Sequence, residues 1–323
     1  MRRPALDPSH LAALRYVVPC VTCWALIPNF AAQLPGGLGP ARYLFWSNVV
    51  STIVLVVTTG LKGRLAPLLR CGPRDLAAMA GLGVLGACAY YALLYSAYDG
   101  ADRDVVPALI VVQYTWPVLT AALSVLALHE PLGRRATAGL LLSVLAVGVA
   151  CGSARYPGAG RLALTGVAAL TFAGYSVLAR TRRFEPFSYV TVVFAAGALG
   201  AAAWMWWVRA IGVPGSPQAW AVVLLNGAVA NGLSYVWWQR ALALAPASFV
   251  APWVCATPLL STSIYWAVFG HPVSTLHWTG VAMVLLAMWL TTVTGEPRAG
   301  EDAGGDPPAS APALVLDVPS PRG

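Results

Sequence analysis

The side chains of this chain that could do chemistry are uncharged. None of its 12 Asp and Glu falls inside a long apolar run. Asp7, Asp75, Asp99, Asp102, Asp104, Glu130 and Glu185 sit at the ends of such runs, and the other acids lie beyond residue 295. The four histidines, His10, His129, His271 and His277, also sit at ends. A charge in hydrocarbon costs from about 2.5 kcal/mol upward, so those retained there usually work. Their lack argues against a carboxylate proton relay, a metalloprotease-like site and a serine-hydrolase site. There is no Walker A motif to couple ATP. Cys20 and Cys23 form a C-x-x-C pair, but with no His, acid or second pair nearby they read as small packing residues. No metal and no cofactor is expected, and the chain is not expected to be an enzyme.

What remains is a set of amides, hydroxyls and rings at helical spacing. Tyr91 and Tyr95 are four apart, as are Tyr235 and Gln239, with Asn231 one turn earlier. Trp253, Thr257 and Ser261 form another stripe, Gln113, Trp116, Pro117 and Thr120 a third, and Cys20, Trp24 and Pro28 a fourth. An amide or hydroxyl without a partner in hydrocarbon costs a few kcal/mol, so these groups should face one another or a wet cavity. Such a cavity suits a small organic solute with a flat or apolar body and a polar end, and its rings would tolerate a cation. The candidate substrate-binding residues are Trp24, Tyr91, Tyr95, Gln113, Trp116, Tyr175, Tyr235, Trp238, Gln239, Trp253 and Thr257. For the tryptophans Trp24, Trp116, Trp238 and Trp253, cavity lining and plain helix packing both remain open. Pro117 and Pro258 free carbonyls at mid-membrane depth and are candidate hinges, or simple kinks.

The elements that must hold these residues are membrane spans. The chain has 323 residues, 58% hydrophobic and 10% charged, with a mean hydropathy of +0.69. Soluble domains carry about 25% charged residues. The net charge of +8 does not point to nucleic acid, because the basic residues fall between apolar runs rather than along one face. About 20 apolar residues cross a bilayer, and ten stretches qualify: 16–34, 41–61, 75–97, 105–127, 135–152, 162–180, 187–209, 217–239, 246–269 and 276–294. The first is too long, and succeeded by too many others, for a cleavable signal peptide. With the N-terminus inside, the inner side receives Arg2, Arg3, Arg15, Lys62, Arg64, Arg70, Arg74, Arg134, Arg135, Arg180, Arg182, Arg183 and Arg240. The outer side receives only Arg42, Arg103, Arg155, Arg161 and Arg209. Positive-inside bias therefore places both termini in the cytoplasm. Residues 295–323, rich in Pro, Gly and acid, read as a disordered cytoplasmic tail.

The chain also resembles itself. The stretch from Tyr114 lies over the stretch from Cys255 at one offset, so that Pro117 meets Pro258, Pro131 meets Pro272, Gly139 meets Gly280 and Ala146 meets Ala287. Tyr91–Ala97 lies over Tyr235–Ala241. The expected fold is an all-α polytopic membrane protein of ten transmembrane helices, in two five-helix repeats at 1–152 and 153–294. Because five is odd, the second repeat is inverted, a recurring plan of secondary transporters with the substrate between the halves.

Those residues carry a family resemblance. WALIPNF in the first span and HEPLG after the fourth resemble the drug/metabolite transporter superfamily, of the EamA-domain type. QYTWPVLTAALSVL is similar to the N-Y-L-W-P-x-L-T block of the bacterial aromatic amino acid exporters. SYVWWQRALALAPASFVAPWVCATPLLSTSIYWAVF is similar to their eighth and ninth spans. Gln113 stands in place of an Asn, Trp238-Gln239 in place of a Trp-Asn pair, and GHPVS has His271 where the turn acid would be. The resemblance implies a basket of ten helices around a central cavity, exporting aromatic and other neutral amino acids and some cationic herbicides. The expected partners are a small-molecule substrate and the lipid bilayer, the chain acting as a monomer in a bacterial plasma membrane. Facilitated diffusion is the simplest mode, with proton antiport through loop acids or histidines open. A broad drug or viologen-like cation efflux protein of the same fold is the alternative, and a non-transporting membrane sensor a more remote one.

Overall fold

The computed structural model describes residues 8–128, 134–152, 156–182, 184–245 and 247–292. The tail at 295–323, and Glu130 and Pro131 of the HEPLG turn, lie outside them. The described residues are helical, with no strand. The chain runs through α1 (Pro8–Ala31), α2 (Pro40–Leu61), α3 (Pro73–Tyr98), α4 (Val106–Gln113), α5 (Trp116–Leu128) and α6 (Arg134–Cys151). It continues through α7 (Ala159–Arg180), α8 (Pro186–Trp207), α9 (Pro217–Leu244), α10 (Thr257–Ala267) and α11 (Thr275–Thr292). Single turns at Leu65–Leu69 and Ala247–Val250 sit between them. Proline opens α2, α3, α8 and α9 at the first helical position, where its missing N–H costs no bond. Glu185 and Ser216 cap α8 and α9, accepting from Ser188 N and Ala219 N.

Seven described stretches are long and apolar enough to cross a membrane: α1, α2, α3, the α4–α5 pair, α7, α8 and α9. This departs from ten equal spans. Thr137–Cys151 and Thr275–Leu290 are shorter apolar helices, and the expected ninth span is in pieces. There a 3₁₀ stretch, Ala251–Ala256, precedes α10. The expected fourth span is likewise interrupted, by a turn at Tyr114–Thr115. Each interruption lies just before a proline, Pro117 or Pro258. Proline has no N–H for the carbonyl four residues earlier. Val254 O is instead taken by Thr257 Oγ1 at 2.5 Å.

Two further irregularities are not visible in the spacing. The middle of α3, Val84–Ala89, and of α9, Leu225–Leu233, winds as π-helix. These are the same place in the two halves, by the register that lays Tyr91 on Tyr235. Both are rich in Gly and Ala, and both are approached closely by a helix of the other half. A Cβ at Gly83 would run into the Val193 carbonyl of α8, and one at Gly227 would stand 2.6 Å from Ser47 O of α2. Side chains of α2 bond the π-segment carbonyls: Asn48 Nδ2 donates to Ala87 O at 2.8 Å, and Ser51 Oγ to Gly227 O at 2.9 Å.

The pairings keep their pattern when helices of the first half are exchanged for their counterparts in the second. α1 packs on α9 and α7 on α3; α1 packs on α10 and α7 on α5; α2 packs on the π turn of α9 and α8 on that of α3. α2 and α8 pair with each other, as do α6 and α11. The last pair meets through small residues, a Cβ at Gly280 lying 3.0 Å from Ala150 Cβ.

Gly227→Ala puts a methyl group where backbone already stands, and is expected to cost about 1–3 kcal/mol. Gly174→Ala, which meets nothing within 4 Å, is the control. Thermal unfolding in detergent should show a lowered midpoint for the first and an unchanged one for the second; equal midpoints would contradict the close packing.

Candidate functional site

Proline again sets the local geometry. Pro28 in α1 cannot bond Trp24 O, and Tyr114 Oη donates to that carbonyl at 3.4 Å. Trp24 Nε1 donates to Ser234 Oγ of α9 at 3.0 Å. Trp24 is thereby held across the seam between halves, with its ring 5.2 Å from Trp238 and 5.6 Å from Tyr235. A second aromatic wall faces it from α3, α5 and α7. Phe172 lies 4.6 Å from Tyr90 and 4.8 Å from Trp116, and Tyr175 Oη accepts from Tyr189 Oη at 2.8 Å. Between the walls is a cavity of about 250 Å³.

Its lining is Trp24, Ile27, Tyr90, Tyr91, Gln113, Tyr114, Trp116, Phe172, Tyr175, Ser176, Ala179, Tyr189, Val190, Tyr235, Trp238, Gln239, Val254 and Thr257. No Asp, Glu, Lys, Arg or His is among them. The polar atoms are mostly committed. Gln113 Oε1 accepts from Tyr98 Oη at 2.9 Å, and its Nε2 donates to Tyr90 Oη at 3.3 Å. Tyr91 Oη donates to Asn231 Oδ1 at 3.1 Å. Gln239 Oε1 is the exception: it is buried and has no hydrogen-bond partner among the described residues.

The cavity is asymmetric along the bundle. Tyr189, Val190, Ala179 and Gln239 carry it toward the end where α2, α7 and α9 bring Lys62, Arg180 and Arg240. The other end is filled. Tyr43, Tyr95, Tyr98 and Tyr265 are all fully buried there. Tyr43 and Tyr95 lie 4.8 Å apart, Asn226 Nδ2 donates to Tyr95 Oη at 3.2 Å, and Tyr265 Oη donates to Arg103 O at 2.8 Å. Arg161 fastens the same end, its guanidinium donating to Ala97 O, Asp99 O and Gly100 O at 2.6–3.0 Å, which caps the last turn of α3.

Of the residues expected at the site, Tyr95 and Trp253 do not line the cavity. Tyr95 shares a face with Tyr91 but sits one turn, about 5.4 Å, further along, within the filled end. Trp253 lies in the 3₁₀ stretch, whose tighter winding turns it off the face of Thr257 and Ser261; it is 37% exposed while they are buried. Asn231, in the π turn, is not part of the lining and accepts from Tyr91 Oη. Thr257 lines the cavity, but its hydroxyl is spent on Val254 O. Phe172 and Tyr189 escape the sequence reading; Phe172 stands three residues before Tyr175, a spacing that marks the shared face. Among the described residues no group of His, Cys, Asp and Glu is placed to hold a metal.

A model of the EamA-like transporter family matches the chain twice, over residues 12–151 and 162–293. No curated protein matches it. Among solved structures, a crystal structure of a protein 19% identical in sequence superposes with a TM-score of 0.58, over 88% of this chain and 97% of the other. That likeness bears on the fold alone.

The Tyr98–Gln113 bond ties the filled end to the cavity. A double-mutant cycle with Tyr98→Phe and Gln113→Leu is expected to give a coupling of about 0.6–1.7 kcal/mol, the range for hydrogen bonds between membrane helices. Reversible unfolding in mixed micelles measures it, and additive single effects would contradict the bond.

Proposed function

The chain belongs to the EamA-like transporter family, and we propose that the small molecules it moves across the membrane are neutral amino acids with aromatic or apolar side chains. The family is one of transporters rather than enzymes. The observation that carries the substrate reading is the cavity: two aromatic walls, no ionised side chain, and one orphaned acceptor, Gln239 Oε1. A buried acceptor without a partner is costly, and the ammonium of a zwitterionic solute would satisfy it. Trp24, Trp116, Phe172 and Trp238 would stack on the solute's body. The volume of about 250 Å³ is below the roughly 300–1,000 Å³ of pockets for drug-sized ligands. This favours a single metabolite over the broad drug-efflux reading.

The mechanism we infer is alternating access between two inverted five-helix repeats, ten spans in all. The broken span at Ala251–Ala256, and shorter apolar helices held as a pair, are compatible with that count. The protein would act as a monomer in a bacterial inner membrane with both termini in the cytoplasm, the basic end of the bundle facing inward. The cavity's opening toward that end and the tyrosines filling the other correspond to an inward-facing state. Outward release needs Tyr43, Tyr95, Tyr98 and Tyr265 to part, with Pro117 and Pro258 as the hinges beside the two broken spans. With no acid in the lining, export runs down the substrate's own gradient.

Counterflow in proteoliposomes with radiolabelled Phe, Trp, Thr and a viologen tests this. Phe and Trp are expected to exchange, the viologen not, and a protonophore to leave the flux unchanged. Gln239→Leu should weaken Phe half-saturation about tenfold, near 1.4 kcal/mol. Flux of none of the amino acids, or of the viologen alone, would contradict the substrate.

A further inference from the structure

Beside the aromatic cavity, and touching it only through Gln239, lies a second cavity of about 270 Å³ lined by Lys62, Arg64, Pro186, Phe187, Gln239, Arg240 and Ala243. Three cations from two helix ends converge on it, and no carboxylate lines it. Like charges gathered in one hollow repel, and a bias of basic residues toward one side of a membrane needs only that they lie in the loops. One acid at this end stands near a cation: Arg182 lies 4.0 Å from Asp75. Glu185, next to the lining in sequence, turns one oxygen to cap Ser188 N instead.

Lys62, exposed at the rim of the hollow, holds its Nζ 5.5 Å over the Phe187 ring. Burial, and then the Arg240 and Arg64 charges, push its ammonium below the ordinary lysine range. An anion bound among the three would reverse the last two effects. The outer wall of α2 leads to this point. Ile53, Val57 and Leu61, each one turn apart, are exposed on the bundle surface, Leu61 by 85%, and the stripe ends at the last residue of α2, next in sequence to Lys62.

We propose that Lys62, Arg64 and Arg240 form a binding site for a phosphate group at the basic mouth of the bundle. Arginine forks match phosphate oxygens two at a time, and lysine supplies a point charge. The apolar stripe gives an acyl chain a track to the same place, which is how basic hollows between membrane helices take acidic headgroups. The ligand is therefore the phosphodiester of an anionic phospholipid, or a free phosphate sharing its chemistry. The site does not depend on the identity of the transported solute.

Native mass spectrometry of the full chain from detergent, with phosphatidylglycerol or phosphatidylcholine added, tests it, beside a thermal-shift titration with inorganic phosphate alone. Retention of phosphatidylglycerol over phosphatidylcholine supports the lipid source, and a phosphate-dependent rise in unfolding midpoint the free one. Either gain should vanish in K62Q/R64Q/R240Q. The exposed single change R240Q, should the triple variant fail to fold, should weaken retention at least about threefold. R134Q/R135Q, which removes two charges outside the hollow, should leave it intact. Equal retention of both lipids with no phosphate shift would overturn the site. So would loss in R134Q/R135Q equal to that in R240Q, which would reduce the effect to net charge.

Discussion

Hydrocarbon accepts and donates no hydrogen bonds, and that constraint organises this molecule. Every break in its helices exposes backbone that lipid will not satisfy. The breaks therefore lie where a side chain of the same span or of a neighbouring helix can reach them. Pro28 leaves Trp24 O to Tyr114, Pro258 leaves Val254 O to Thr257, and the π turns of α3 and α9 present Ala87 O and Gly227 O to Asn48 and Ser51 of α2. Asn29, fully buried, binds its own helix at Ala25 O and reaches Ser261 of α10 from the same amide. Two of these contacts, Ser51 to Gly227 O and Asn29 to Ser261, cross between the two halves, and the others lie within one half.

The cavity arises from the same constraint. Glycine and alanine at the π turns let α2 and α8 approach α9 and α3 closely, and the rings of the following turns, Tyr90, Tyr91 and Tyr235, line the cavity. Rings from both halves meet there, and within the lining their polar tips take up Gln113 and Asn231 Oδ1. Gln239 Oε1 stays over. The described lining offers neutral dipoles and rings, which under the proposed function would hold a solute by shape and stacking. It also sits between a tyrosine-filled end and an open one, an arrangement that two packed halves can exchange by rocking.

Much of this is legible in the chain. Long apolar runs mark the membrane, paired prolines and glycines mark the repeat, and helical spacing gathers Trp24, Tyr91, Gln113, Trp116, Tyr235 and Gln239 on faces that line the cavity. Trp253 departs from its expected face because the expectation assumes uninterrupted α-winding, which the 3₁₀ turn between Pro252 and Pro258 breaks. The π winding of LNGAVANGL is likewise not carried by apolar spacing. Tyr95 departs differently: its face is right, but depth along a helix is set by where the cavity ends, which spacing does not carry. Ten equal spans are expected from the sequence because apolar length runs unbroken through Tyr114–Thr115 and Ala251–Ala256, where the backbone does not.

The central claim is that the uncharged aromatic cavity is where the transported solute sits. A density map of the protein saturated with L-phenylalanine tests it most directly. The account predicts one solute between Trp24, Phe172 and Trp238, with its ammonium within hydrogen-bond reach of Gln239 Oε1. An empty cavity at saturation, or the solute bound only on the outer surface, would contradict it.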